Sequence, residues 1–294
     1  MAGVNDGKDL KFYVFTSFAQ LKIIYVMEIA GYLLAAVVGI SLGLIGGGGS
    51  ILMVPILVYV MGINPVLATS YSLFIVGATS LVGAYNNYRS GWVNIKIALL
   101  FGLSSITTVF IARKILMPLI PPVLFSNKHV TITQELATMV LFAVLMLLAS
   151  IAMIKNTAEE AGSDESASSA QVNLFTLLLY GIAIGLVTGF LGAGGGFLLI
   201  PALVLLIKIP MKKAIGTSLL IIALNSLIGF SGDIGHFAID WKFLIIITLI
   251  SIAGGFMGNF LSKKIDGEKL KKAFGWFVLI MGIYILVKEL FPLI

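Results

Sequence analysis

Residues 39–58, GISLGLIGGGGSILMVPILV, and residues 185–204, GLVTGFLGAGGGFLLIPALV, decide how this chain folds. A shift of 146 positions, without a gap, lays Gly39 on Gly185, Gly43 on Gly189, Gly46 on Gly192, Gly48 on Gly194, Gly49 on Gly195 and Pro55 on Pro201. In the same register Ala68 meets Ala214, Ser72 meets Ser218, Ser80 meets Ser226, Gly83 meets Gly229 and Lys96 meets Lys242. Apolar coincidences carry little information in so apolar a chain. Glycine, proline, serine and lysine coincidences in one frame identify an internal duplication.

Outward from these stretches the sequence is a succession of apolar runs. Of the 294 residues 59% are hydrophobic and 11% charged, and the mean hydropathy is +1.10. Soluble domains are about 25% charged. Thirty-two charged side chains cannot clothe a water-facing surface of this size, so most of the surface faces lipid. A crossing takes about 20 apolar residues at 1.5 Å rise. Runs of that length lie near 23–45, 66–87, 94–116, 133–154, 173–191, 214–232, 242–262 and 269–291, with two shorter ones at 50–62 and 197–208. The expected fold is all-α and polytopic, with about ten transmembrane helices, two of them candidate half-helices, in two repeats. Residues 1–22 read as an interfacial amphipathic segment, 23–154 as the first repeat, 155–172 as a polar linker and 173–294 as the second. Five apolar segments separate the start of one repeat from the start of the other, so if all cross, the repeats are inverted.

Several function classes drop out. There is no cysteine, and His129 and His236 are the only histidines, which excludes thiol chemistry and a histidine-built metal site. The net charge of +6 is spread in short clusters between apolar runs, a membrane-topology pattern and not a nucleic-acid face. No GxxxxGK[ST] motif is present, so no P-loop hydrolyses ATP. No cofactor is implied.

The glycine clusters carry the chemistry. Gly46, Gly47, Gly48, Gly49 and Ser50, and Gly192, Gly194, Gly195 and Gly196, are helix breakers deep in apolar sequence. Unwound backbone at membrane depth survives only inside protein or beside a cavity. The short helices that follow, with Pro55 and Pro201 in them, would turn free N–H groups and a positive dipole end toward the break, which attracts an anion. Glycine can also serve close helix packing, the reading preferred for the Gly39/Gly43 and Gly185/Gly189 pairs. Thr69, Ser70 and Ser72, matched by Thr217 and Ser218, could replace part of an anion's hydration shell, or simply bond the preceding turn. Asn225 is a further polar candidate. Charges fall at helix ends, among them Glu28, Arg89, Arg113, Lys114, Asp233, His236 and Asp240. Asp233 and His236, three apart, are candidates for proton coupling or else a solvated loop pair. Arg89 is a candidate gate, topology signal or lipid contact.

The duplicated pattern of glycine cluster, proline and Ala-x-x-x-Ser resembles the sulfite exporter TauE/SafE family, also known as toluene sulfonate uptake permeases. The resemblance covers the chain after about residue 25. It implies a multi-pass permease of the bacterial inner membrane for sulfite, sulfonates or related anions, and the glycine, proline and hydroxyl positions above are those on which the family motif falls. Ser50 stands where the second half has Gly196, and Ala193 interrupts the second cluster. The reading is a secondary transporter of small anions working by alternating access, with a lipid bilayer as surroundings and a proton as candidate coupling ion. An anion channel and, less favoured, an intramembrane enzyme are the rival readings.

Overall fold

The structure is a computed structural model that describes residues 27–126, 131–155, 174–205, 207, 209–261 and 267–291. The expected interfacial segment 1–22 and the linker, apart from Lys155, lie outside the described residues. Among the described residues the helical segments are α1 (Met27–Ile45), α2 (Gly47–Val60), α3 (Pro65–Arg89), α4 (Ile95–Leu119), α5 (Gln134–Lys155), α6 (Leu174–Leu191), α7 (Gly196–Leu205), α8 (Met211–Asp233), α9 (Trp241–Leu261) and α10 (Gly267–Leu290). Six of them, α1, α3, α4, α5, α8 and α9, are by length and apolarity able to cross a membrane, while α2 is short. A small antiparallel hairpin, β1 (Val123–Ser126) with β2 (Thr131–Thr133), links α4 to α5 and had no counterpart in the sequence reading.

Local chemistry sets the boundaries. Asn64 caps α3, its Oδ1 accepting from the amides of Val66 at 3.0 Å and Leu67 at 3.4 Å, and Pro65 occupies the first helical position. Asn94 caps α4 through the Ile97 amide at 3.1 Å. Both α2 and α4 contain a π turn, Ile56–Val60 immediately after Pro55 and Ala112–Leu116 around Arg113.

Outward faces are apolar and the interior is partly polar, the distribution a lipid solvent demands. Leu33, Leu103, Leu249 and Ile280 are more than half exposed, whereas Ser72, Ser80, Thr188, Asn225 and Ser226 are fully buried. Helices α3 and α8 form the centre: 61% and 67% of their most apolar windows are buried, against 33–39% in the other four long spans. They run antiparallel, since Gly77 abuts Leu227 while Gly83 abuts Leu219 and Gly229 abuts Leu73. By contrast α1 runs parallel to α9, with Gly39 at Ser251 and Gly43 at Gly255 and Gly258, and α6 runs parallel to α4, with Gly185 at Ser105 and Gly189 at Ala112. At these crossings a Cβ would strike the neighbouring helix, so the glycines foreseen as packing positions do pack. Helix α5 lies against α10.

The two ends of the bundle are fixed by polar contacts. At one, the Asn64 end, Asn64 Nδ2 donates to Glu135, Tyr59 donates to Glu289 at 2.7 Å, and the Tyr71 hydroxyl accepts from the Asp240 amide at 2.8 Å. At the other, the Asn87 end, the Asn94 amide donates to Thr217 Oγ1 at 3.0 Å, and Gly216 packs on Trp92 and Asn87.

Candidate functional site

Both glycine clusters interrupt the helices, by different routes. In the first, only Gly46 is outside helical geometry (φ 77°, ψ −136°), a conformation closed to other residues. Gly47, Gly48, Gly49 and Ser50 already belong to the 3₁₀ turn that opens α2. The first short helix therefore starts earlier than the residue 50 expected, because one left-handed glycine suffices for the turn. In the second cluster Gly192, Gly194 and Gly195 all have φ near 67–68°, and the chain stays unwound until α7 begins at Gly196.

The two breaks meet in the buried interior. A methyl group on Gly47 would overlap the Gly196 Cα, and one on Gly196 would overlap Gly47 in return. Each break also rests on the start of a central helix, Gly46 on Ile215 of α8 and Gly192 on Thr69 of α3. The unwound second cluster is lined by hydroxyls: a Cβ on Gly194 would lie 3.1 Å from Ser226 Oγ, and one on Gly195 would overlap Thr188 Oγ1. Neither hydroxyl has a hydrogen-bond partner among the described residues; nor do Ser72 Oγ, Ser80 Oγ and Asn225 Nδ2. Asn225 Oδ1 accepts from Ser105 at 3.0 Å, which leaves its amide NH2 free to donate. Buried polar groups without partners are uncommon, and the two hydroxyls set against the second cluster make it a candidate ligand or water site.

Other expected residues behave differently. Ser50, Thr69 and Ser218 donate to the carbonyls of Gly47, Val66 and Ile215 at 2.7–2.9 Å, so their protons are spent on the preceding turn. Thr217 accepts from Asn94, and Ser70 lies beside Asp233. Pro55 is buried within α2 and Pro201 lies midway along α7; neither is at the junction. Arg89 is exposed at the end of α3, over the Tyr85 ring at 5.8 Å.

The reading of Asp233 and His236 as a solvated pair fails for Asp233. Its carboxylate is 2% exposed and lies 3.2 Å from Arg113 Nη1, which also donates to Thr69 Oγ1 at 3.0 Å. His236 is exposed on the following loop. Arg113, grouped with Lys114 as a helix-end charge, is one of the largest fully buried side chains. Together with Thr188 and Ser226 it is the functional candidate that sequence reasoning missed. The register shift did carry a signal for Ser226, which aligns with Ser80.

Among the described residues, three cavities lie toward the ends of the bundle, and none of the three includes the junction glycines. At the Asn64 end, one of about 470 Å³ is bounded by Glu28, Asn64, Tyr71 and Asp240, and another of about 270 Å³ by Arg113, Gln134, Asp233 and His236. At the Asn87 end only about 10 Å³ is left between Asn86, Asn87, Gly43 and Asn259.

The family model described as sulfite exporter TauE/SafE matches residues 32–285, a span that takes in both breaks and the whole buried centre. The chain belongs to this family. Among its relatives is a probable membrane transporter protein of Xylella fastidiosa (strain 9a5c), 30% identical over 252 residues that cover 85% of this chain and 91% of the relative. The probable membrane transporter protein YdhB of Bacillus subtilis is 27% identical over 80% of this chain and 90% of its own length. The probable membrane transporter protein MJ0441 of Methanocaldococcus jannaschii is 36% identical over a shorter stretch, 37% of this chain and 43% of the relative. No solved structure matches the chain. This TauE/SafE protein is a multi-pass membrane transporter and not an enzyme.

Proposed function

We propose that the junction of the two breaks is the central substrate site for a small anion, with sulfur oxyanions such as sulfite and sulfonates as the class, and that transport is secondary and proceeds by alternating access. The observation that carries this is the pair of buried hydroxyls without partners, Thr188 and Ser226, set against the glycine backbone of the second break just before α7 starts. Neutral donors and helix N-termini suit a solute that must bind and leave, where a fixed charge would hold it.

The interior contacts support ten crossings in two inverted repeats. Under the 146-position shift, Gly39 on Ser251 exchanges with Gly185 on Ser105, Gly46 on Ile215 with Gly192 on Thr69, and Gly83 on Leu219 with Gly229 on Leu73. Equivalent helices α3 and α8 are antiparallel, as an axis in the membrane plane requires. Contact between Gly47 and Gly196 makes the present conformation closed at its centre. The roomier cavities at the Asn64 end and the pinched one at the Asn87 end favour a state biased toward the first.

Arg89, Lys96, Lys212, Lys213 and Lys272 fall at the Asn87 end, while Glu28, Glu135, Asp240 and Glu289 offset Lys114, Lys242 and Lys288 at the other. The positive-inside rule then makes the Asn87 end cytoplasmic, and Arg113, neutralised by Asp233, no longer opposes it.

The test is counterflow of radiolabelled sulfite in proteoliposomes. A carrier gives saturable uptake accelerated by internal unlabelled sulfite. Ohmic currents without counterflow would mean a channel, and neither signal with sulfite or short sulfonates would remove the anion reading.

A further inference from the structure

Arg113 is a buried cation facing a cavity with more donors than the protein satisfies. Its Nη1 serves both Asp233 and Thr69, but Nε and Nη2 have no partner among the described residues. The side chain is 1% exposed and lines the cavity of about 270 Å³, with Val66, Met117, Gln134, Asp233 and His236 among the other walls. It sits in the π turn of α4, an irregularity common at functional positions. Gly229 and Gly232 of α8 let its stem approach: a Cβ on Gly232 would lie 3.2 Å from Arg113 Cβ.

We propose that Arg113 is an entry site for a monovalent tetrahedral oxyanion, and that the arriving anion binds the guanidinium edge that Asp233 leaves free while Asp233 takes up a proton. The proposal rests on the anion-transport reading above and adds a site and a coupling step to it. Charge balance drives the step. Arginine and carboxylate sum to zero, and an added anion would leave one net negative charge in a low-dielectric interior, which is strongly disfavoured. One proton delivered from bulk solution through the cavity onto the Asp233 carboxylate restores neutrality, so one proton travels with each anion. The guanidinium fork then offers Nε and Nη2 side by side, the geometry that binds two oxyanion oxygens at once.

Other groups near Asp233 enter the test. Ser70 and Thr69 approach from α3, Lys114 follows Arg113 in α4 with its ammonium over the Phe110 ring at 5.3 Å, Glu135 pairs with Asn64, and Asp240 and exposed His236 lie on the loop after α8. Of these His236 shares the cavity with Asp233.

Calorimetry on the full-length purified protein with methanesulfonate, ionised throughout pH 5.5–8, tests this. Wild type should bind with uptake of one proton and lose affinity by about tenfold per pH unit over the responsive range. Asp233→Asn should bind without proton uptake and independently of pH. The double variant Arg113→Gln/Asp233→Asn leaves no lone buried charge, so it should fold and bind at least tenfold more weakly. His236→Gln should retain the wild-type slope. Flat wild-type binding, a slope that survives in Asp233→Asn, or a slope lost in His236→Gln overturns the coupling step. Unchanged affinity in the double variant removes the Arg113 site while the glycine junction stands. Binding lost there but intact in Thr188→Val/Ser226→Ala keeps Arg113 and removes the junction.

Discussion

Alanine in place of Gly47 tests whether the meeting of the breaks is a working contact or only a tight crossing. The new methyl would overlap Gly196 Cα and the Ile222 δ-methyl. Ile222 can rotate away, but Gly196 is backbone at the start of α7 and yields only if that helix moves. Overpacking costs typically 1–3 kcal/mol, and a rigid neighbour places this case near 3. Measured against the unfolded chain, loss of glycine's freedom offsets about 0.4–1 kcal/mol, leaving roughly 2 kcal/mol of lost stability. Between two folded conformations that offset cancels, so if only one of them brings Gly47 onto Gly196 the full penalty near 3 kcal/mol is a shift of roughly a hundredfold or more.

The assay pairs thermal melting of the purified protein with sulfite counterflow per folded molecule. Gly102→Ala is the control, since its Cβ would meet only Ile106 at 3.6 Å, and helix propensity should make it neutral or slightly stabilising. A working contact predicts that Gly47→Ala melts several degrees lower and loses counterflow well beyond the loss of folded protein. Melting lowered with counterflow per folded molecule intact would make the junction mere packing. Wild-type values in both would refute the geometry itself.

Three further outcomes follow. Thr188→Val and Ser226→Ala each remove a buried hydroxyl without a partner, so stability should hold or rise while sulfite affinity, read by calorimetry, falls about tenfold or more, given roughly 1.5–3 kcal/mol for a hydrogen bond to a charge. Gly39→Ala and Gly185→Ala push a methyl into the Ser251 and Ser105 carbonyls, and should lower melting by an amount worth about 1–3 kcal/mol with affinity unchanged in the protein that remains folded. Because the chain has no cysteine, Ser90→Cys and Gly235→Cys report each end cleanly: an impermeant thiol reagent added to intact cells should label the second and not the first, and the reverse would invert the orientation.

Much of this architecture was legible because membrane helices obey local rules. The span expected at 214–232 is α8, Met211–Asp233, and the one at 242–262 is α9, Trp241–Leu261, since apolar length alone nearly fixes both. The breaks were legible because Gly46, Gly192, Gly194 and Gly195 adopt a backbone that other residues avoid. Which hydroxyls stay free was not legible. Thr69 and Ser218 spend their protons on carbonyls three residues back, whereas Thr188 and Ser226 do not, a difference that depends on packing against the second cluster. Nor was the Arg113–Asp233 pair, whose members lie 120 residues apart, each at the border of an apolar run where a charge passes as a topology signal. The usable clue was their opposite sign at helix ends that an inverted arrangement brings to the same side.

The duplication itself gives that pair a meaning beyond its contacts. Under the 146-position shift Arg113 corresponds to Asn259 and Asp233 to Asn87, and both asparagines line the pinched cavity at the opposite end. Two equivalent places at the two mouths thus hold an ion pair at one end and a pair of amides at the other. Amides cannot take up a proton near neutral pH, so the proposed trade of a proton for an anion falls to the Asn64 end. If the proposed inverted-repeat carrier holds, the exchange-related contacts in the core make its two conformations nearly equivalent in packing. The charged pair at one end breaks that equivalence, and the proposed coupling would tie anion entry to pH on that face alone.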